Sequence, residues 1–464
     1  MNKISSRQFS RIYFLGIAGI NMSALAKHCV LQGICVEGSD VRQCDETNEL
    51  EKFGIKVNVG SSENYIKNFN PSHLVYTSAI KEDNPELIWA MQNDVKILKR
   101  SEFLGLIVSN YAKSVGVSGC HGKTTTSAML SSVCDGAKNN PTVFIGGIDQ
   151  NFSNYKKGDG GLVIVEACEY QKNFLDIKPT ISVILNVDYD HMDSYSNMQE
   201  LIDAFNKFSN TEYSVVNGDD QNCAKLIKKN TITFGLSPAC VVRGANLFCE
   251  QGKYSFDYYY DGRKQTRISL NVQGIHNVYN ALSVCAVANI LNIPIDVLKG
   301  KLQSFSNVKR RMEDVGEYNG KKIIADYAHH PKEINAILNI TEKEENTFYI
   351  FQPHTYSRTR YLMEEFVSVL SSMDNVCIYK TYPAREEYDA LGDGRYLYKK
   401  IKRKTKGKCS YVKNYEALKR KIKRLPKKYV KVMFLGAGDI YDLANRMVGE
   451  NKNNKKFKKT IAKI

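Results

Sequence analysis

Short apolar runs, each feeding a glycine turn and then a stretch with helical spacing, recur along the chain, which is the order that parallel α/β sheets require. Three of them open segments: Ile12 to Gly16, Ser114 to Gly119 and Lys322 to Asp326. Further short strands are predicted at Cys35 to Gly38 and Leu74 to Thr77, completing a small dinucleotide-type domain. The middle segment continues through Leu162 to Glu166 and Ile181 to Asn186, apolar throughout and so expected to be buried on both faces. Tyr254 to Gln265 and Arg267 to Val272 predict a hairpin. A helix is predicted after Gly274, with Val278, Ala281, Leu282, Cys285 and Ala288 on one face. The last segment alternates strands at Thr347 to Phe351, Val376 to Lys380 and Lys431 to Leu435 with helical patterns such as Tyr361 to Leu370. Three α/β domains are expected, over residues 1–108, 109–307 and 308–464, without internal repeats.

Composition narrows the class. At 464 residues and 43% apolar the chain can bury several cores. Its formal net charge of +16 raises nucleic acid or an anionic surface as a partner, but residues 396–464 hold 23 Lys or Arg against 4 acids, leaving the first 395 residues nearly neutral. The stretch Asn451 to Ile464 reads as a frayed, solvated tail. No apolar run approaches the ~18 residues a bilayer requires, and Met1 to Arg11 lacks the apolar core of a signal peptide, so a cytoplasmic chain is expected. The 12 cysteines include no CxxC pair, which favours reduced thiols over a disulfide or zinc framework.

The strongest chemical signal is GVSGCHGKTTT, Gly116 to Thr126, between an apolar strand and a helical pattern. Glycines let backbone N–H groups close on phosphate oxygens, a lysine neutralises them, and a threonine hydroxyl suits Mg2+. Val117 stands where the strict pattern has glycine, so the match is a variant. Glu166 ends one apolar strand, and NVDYDHMD ends another with His191 among carboxylates; either could hold a metal ion against a phosphate. Taken alone, a histidine beside acids reads as a hydrogen-bonded surface residue. DYAHHP and FQPHTYSRTR put histidine and arginine at further strand ends, where anions bind or where turns are simply capped. FLGIAGINMSALA has the strand, glycine turn and helix of a nucleotide fold, and Asp40 follows at about the ~20-residue spacing of a ribose ligand.

Together these strings resemble the bacterial Mur ligases. GIAGINMS, TSAIKEDNPE, SGCHGKTTT, VEACEY, NVDYDHMDSY, GIHNVYNA, RRM, DYAHHP, FQPHTYSRTR and LGAGDI occur in family order from about Ile12 to Asp442. The resemblance implies an N-terminal Rossmann-like nucleotide-sugar domain, a central P-loop ATPase-like domain with a mostly parallel sheet, and a C-terminal Rossmann-like domain that binds the amino acid. It implies UDP-substrate contacts at Gly16, Ala18, Gly19, Asn21, Met22, Ser23, Asp40 and Ser78. ATP would lie against Ser118, Gly119, Cys120, His121, Gly122, Lys123 and Thr124, with His276, Asn277 and Asn280 beside the adenine. Asp326 would hold the ribose and Arg311 would reach the phosphates. Thr124 would bind one Mg2+, Glu166 with His191 another, and His354 with Arg358 would orient the amino acid. This chain departs from many relatives at Thr355, where they carry arginine, and at Ala18 and Asn21, which replace glycines.

The activity so implied is ATP-dependent joining of L-alanine to the lactyl carboxylate of UDP-N-acetylmuramate, the first amino acid addition in peptidoglycan precursor synthesis. A carboxylate is a poor electrophile, so its oxygen would take the γ-phosphoryl of ATP and the amine would displace phosphate from the acyl phosphate. Residues of three domains must serve one reaction, so the third is expected to close after ATP binds. Cys120 and Cys168, beside these motifs, raise the expectation that alkylation inactivates. Other readings are a Mur-type ligase for a recycled peptide or a different amino acid, an NAD-dependent dehydrogenase, and a P-loop protein acting on nucleic acid. The dehydrogenase leaves GKTTT, Glu166 and His191 without a role.

Overall fold

Alternation along the strands explains the first sheet. In a computed structural model, Ile12 and Phe14 of the strand Arg11–Leu15 enter one apolar core while Tyr13 and Leu15 enter another on the opposite face. The structure describes residues 9–461 except 138, 189–193, 307, 342–345, 374 and 406–408, with side chains as far as residue 451. The chain forms two compact units, Met1–Ser306 and Asn307–Ile464.

The first unit holds two sheets. One has five parallel strands in the order Lys56–Val59, Cys35–Asp40, Arg11–Leu15, His73–Tyr76, Lys96–Lys99. The order reverses beside Arg11–Leu15, the switch point where open α/β sheets take ligands. The other sheet has ten strands, with Lys113–Ser118 paired in parallel to Leu162–Glu166 on one side and to Ile181–Ile184 on the other. Beyond Ile181–Ile184 it runs through Tyr213–Asn217 and Thr231–Gly235 into the antiparallel strands Val242–Glu250, Lys253–Tyr260 and Arg263–Gln273. The opposite edge is the hairpin Thr142–Asp149 with Ser153–Lys156. The second unit has a six-stranded sheet in the order Glu313–Tyr318, Lys321–Asp326, Lys431–Leu435, Thr347–Phe351, Val376–Tyr379, Cys409–Val412, parallel except for its first pair.

Several expectations are corrected. The predicted hairpin turns at Asp261 and Gly262 (φ 72°), not near Gln265. The helix Ile275–Ile290 is buried on nearly all sides from Asn280 to Ala288, since it is packed between other elements rather than lying on a surface. The pattern Tyr361 to Leu370 divides into helices Tyr356–Tyr361 and Met363–Ser371. The C-terminal helix runs from Ile440 to Ile461, so the backbone of the expected frayed tail is helical as far as Ile461.

Candidate active site at the glycine loop

The loop between Lys113–Ser118 and the helix Lys123–Gly136 is shaped by two glycines at positive φ, where any larger residue would be strained. Gly119 (φ 134°) would set a Cβ 3.1 Å from the backbone N and O of Asn186. Gly122 (φ 86°) would set one 2.6 Å from Asn280 Oδ1. Asn186 fastens the loop further: its carboxamide accepts from His121 N (2.8 Å) and donates to the carbonyl of His121 (3.0 Å), while its carbonyl accepts from Cys120 N (3.3 Å). The helix begins without a side-chain cap, so its first N–H groups have no acceptor within the helix and favour an anion.

Lys123 donates to the carbonyl of Gly119 (2.6 Å) and to both carboxylate oxygens of Glu169 (3.1 and 2.8 Å). The Glu169 side chain is 0% exposed. Burial works against the lysine's charge, but the carboxylate of Glu169, then Cys168 and Glu166, more than offset it and hold its pKa above the ordinary range. Tyr195 donates to the Glu169 carbonyl (2.5 Å). Thr124 donates to Glu166 Oε2 (2.8 Å), which also accepts from Gly146 N (2.7 Å). The next residue, Gly147, would place a Cβ 2.7 Å from Thr124 Cγ2. His121 Nε2 lies 3.4 Å from Asp188 Oδ2. Cys120 and Asp188 bond reciprocally, the thiol donating to the carbonyl (3.3 Å) and accepting from the amide (3.2 Å). His191 lies outside the described residues.

These residues fit a nucleotide with its magnesium. The buried Ser118 hydroxyl has no hydrogen-bond partner among the described residues. Thr124 and Glu166 supply the hard oxygen donors that Mg2+ prefers. On the helix Ile275–Ile290, Asn280 donates to Asn277 Oδ1 (3.0 Å), and Asn277, whose Nδ2 lies 3.3 Å from His276 Nε2, donates to the Gln273 carbonyl (2.7 Å), so His276, Asn277 and Asn280 form one chain ending at Gly122.

At the switch point of the first sheet, Asp40 accepts from Ala18 N (2.9 Å) and Val41 N (2.8 Å), tying the loop Gly16 to Gly19 to the neighbouring strand end. Gly16 (φ 76°) lies against Thr77, beside the exposed Ser78. Asn21 is half-buried there. Met22 and Ser23 point elsewhere: Met22 is in the core, and the buried Ser23 hydroxyl accepts from Asn154 (2.7 Å).

In the second unit, buried Asp326 accepts from Met312 N and Ala328 N, both at 2.8 Å. Burial pushes its pKa up to about 6, against the pull of Arg311. The Arg311 guanidinium lies 5.4 Å from the Tyr327 ring centre. His354 and Arg358 come together, Nδ1 to Nη1 at 3.2 Å, and the His354 ring stacks on Tyr382 (5.6 Å, 14°). Thr355 (φ 64°) caps the helix Tyr356–Tyr361, its hydroxyl accepting from Arg358 N at 3.4 Å. Reading the sequence missed Glu169, Gly146, Gly147, the role of Asn186, and Tyr382. Glu169 and Asn186 stood inside VEACEY and NVDYDHMD, while the partners that give them meaning are far away in the chain.

A strand, glycine loop and helix with lysine and threonine at its start, joined to a second α/β sheet carrying its own glycine turn, is shared with known proteins. Residues 11–112 match the model of the Mur ligase family catalytic domain, 117–288 that of the Mur ligase middle domain, and 310–438 that of the Mur ligase glutamate ligase domain. The chain belongs to the Mur ligase family. Within it, the chain is 37% identical over 442 residues to a UDP-N-acetylmuramate–L-alanine ligase of Caldicellulosiruptor saccharolyticus, spanning 93% of this chain and 96% of that protein. It is 36% identical over 444 residues to the corresponding ligase of Aquifex aeolicus, with the same coverage. Among solved structures, the UDP-N-acetylmuramate–alanine ligase of Thermotoga maritima superposes with a TM-score of 0.82 at 28% identity, over 96% of this chain and 99% of that one.

Proposed function

We infer that this protein is the ATP-dependent ligase that joins L-alanine to the lactyl carboxylate of UDP-N-acetylmuramate. The observation that carries the reading is the glycine loop itself, which leads into an uncapped helix whose first residues are Lys123 and Thr124, the latter paired with Glu166. Three domains, at residues 1–108, 109–307 and 308–464, divide the work. The first takes the uridine nucleotide on the loop Gly16 to Gly19 with Asn21, Asp40 and Ser78. In the second, Ser118 to Thr124 cradle the triphosphate and His276, Asn277 and Asn280 lie toward the adenine. From the third, Asp326 meets the ribose, Arg311 the phosphates, and His354 with Arg358 the alanine.

Chemistry follows from those roles. The muramyl carboxylate and the triphosphate repel one another, and the Lys123 ammonium and the helix N-terminus offset that repulsion as the carboxylate oxygen takes the γ-phosphoryl group. Thr124 would hold one Mg2+ and Glu166 with His191 another, and the two ions would neutralise further phosphate charge. The alanine amine then displaces phosphate from the acyl phosphate. ATP and UDP-sugars place the enzyme in the cytoplasm, and no helix among the described residues is long and apolar enough to cross a membrane. The test is phosphate release from ATP with UDP-N-acetylmuramate and each of the twenty amino acids in turn. Release dependent on alanine and on the sugar nucleotide is expected; release with neither, or only with a peptide, would remove the assignment.

A further inference from the structure

The edge hairpin of the ten-stranded sheet lies against the helix that follows each substrate loop. On its strand Thr142–Asp149, Gly146 donates its N–H to Glu166 Oε2 (2.7 Å), and a Cβ on Gly147 would strike Thr124 at 2.7 Å. Its partner strand Ser153–Lys156 pairs Tyr155 with Phe144 and Ser153 with Asp149, and the register shifts between these pairs, where Gly146 and Gly147 lie. Asn154 on that strand is buried at 1% exposure, and each end of its carboxamide is engaged. Nδ2 donates to the carbonyl of Ile20 (2.5 Å) and to Ser23 Oγ (2.7 Å), while Oδ1 accepts from Lys27 Nζ (3.0 Å). Ile20, Ser23 and Lys27 lie on the helix Ile20–Leu31, which starts directly after Gly19. At the next residue, His28 Nδ1 meets Tyr155 OH (3.0 Å) and its ring packs on Phe144 (5.4 Å). The helix that follows the sugar-nucleotide loop therefore rides on the hairpin that lines the phosphate site.

We propose that Asn154 is a positioning residue that fixes the distance between the sugar-nucleotide loop and the phosphate loop. The reaction joins an atom of one substrate to an atom of the other, so rate depends on the spacing of two separately bound molecules. A misplacement of about 1 Å can cost roughly 100-fold in rate without weakening either binding step. Three hydrogen bonds made by one buried carboxamide hold the first turns of the helix against Ser153–Lys156, which is paired with Thr142–Asp149, the strand that meets Thr124 and Glu166. This inference rests on the proposed function.

Asn154→Asp is the informative variant. It has the same shape and keeps an acceptor for Lys27, but loses both donors to Ile20 and Ser23. Asn154→Ala serves as the second variant, removing the whole carboxamide. Calorimetry with ADP alone and with UDP-N-acetylmuramate alone is expected to give dissociation constants within threefold of wild type and one site per chain. Turnover with all substrates saturating is expected to fall at least tenfold in both. If turnover stays within twofold, or if the loss is matched by fewer binding sites per chain, Asn154 has no positioning role. Failure of the wild-type chain to bind the sugar nucleotide would instead strike the proposed function.

Discussion

Replacing Lys123 should do more than remove a phosphate contact, because its ammonium is the counter-charge of a carboxylate that is 0% exposed. Lys123→Ala leaves Glu169 buried and unpaired, and breaking a buried pair from one side typically costs about 3–5 kcal/mol. With two donor–acceptor contacts at 2.8 and 3.1 Å the pair is near ideal in length, so the upper part of that range applies. In a chain of this size such a loss corresponds to a fall in melting temperature of about 5 °C. Glu169→Gln should cost less, since Lys123 keeps the carbonyl of Gly119. The double variant Lys123→Ala/Glu169→Gln removes both charges and should regain most of the lost stability, giving a coupling of at least about 2 kcal/mol. Thermal unfolding followed by circular dichroism reads all four proteins, and phosphate release reads their activity, which should be lost in both lysine variants. A Lys123→Ala protein melting within 1 °C of wild type would refute the reasoning, as would additive effects in the double variant.

Three further outcomes follow from local geometry. Burial pushes the Cys168 thiol up to about 11, and Cys120 is buried with its sulfur engaged by Asp188, so iodoacetamide at pH 7.5 should label the exposed Cys35 and Cys249 first; early labelling of Cys168 or Cys120 by peptide mass spectrometry would contradict this. Gly147→Ala drives a methyl into Thr124 and should lower turnover at least tenfold with the melting temperature little changed, whereas a rate within twofold of wild type would mean the strand yields there. Burial, with a smaller push from Lys157, lowers the His28 pKa to about 4, so the unfolded chain binds a proton that the folded one refuses between about pH 6.5 and 4. Stability from this group is full above that window and falls through it, by on the order of 3 kcal/mol, and His28→Gln should flatten that part of the pH dependence of the urea midpoint.

The parallel strands and glycine loops were legible because a strand buried on both faces must be apolar throughout and a backbone closing on phosphate must be glycine. What escaped notice depended on partners distant in the chain. Glu169 reads as an ordinary acid until Lys123, 46 residues earlier, is folded against it. The hairpin Thr142–Lys156 was hidden because Gly146 and Gly147 look like a break in a strand, although they are the places where Glu166 and Thr124 come closest. The Asp261–Gly262 turn was a local signal that went unread amid a tyrosine-rich run, and Asp-Gly between alternating strands is among the clearest hairpin markers. Thr355 looked like a defect in a binding motif, yet it caps the helix that carries Arg358.

Isotope transfer addresses the chemistry itself. UDP-N-acetylmuramate labelled with 18O in its carboxylate is incubated with ATP and L-alanine, and the released phosphate is examined by 31P NMR. If the carboxylate oxygen attacks the γ-phosphorus, one labelled oxygen appears in each phosphate formed. Unlabelled phosphate alongside newly made amide would show that activation takes another route, and the roles given to Lys123 and its neighbours would have to be withdrawn.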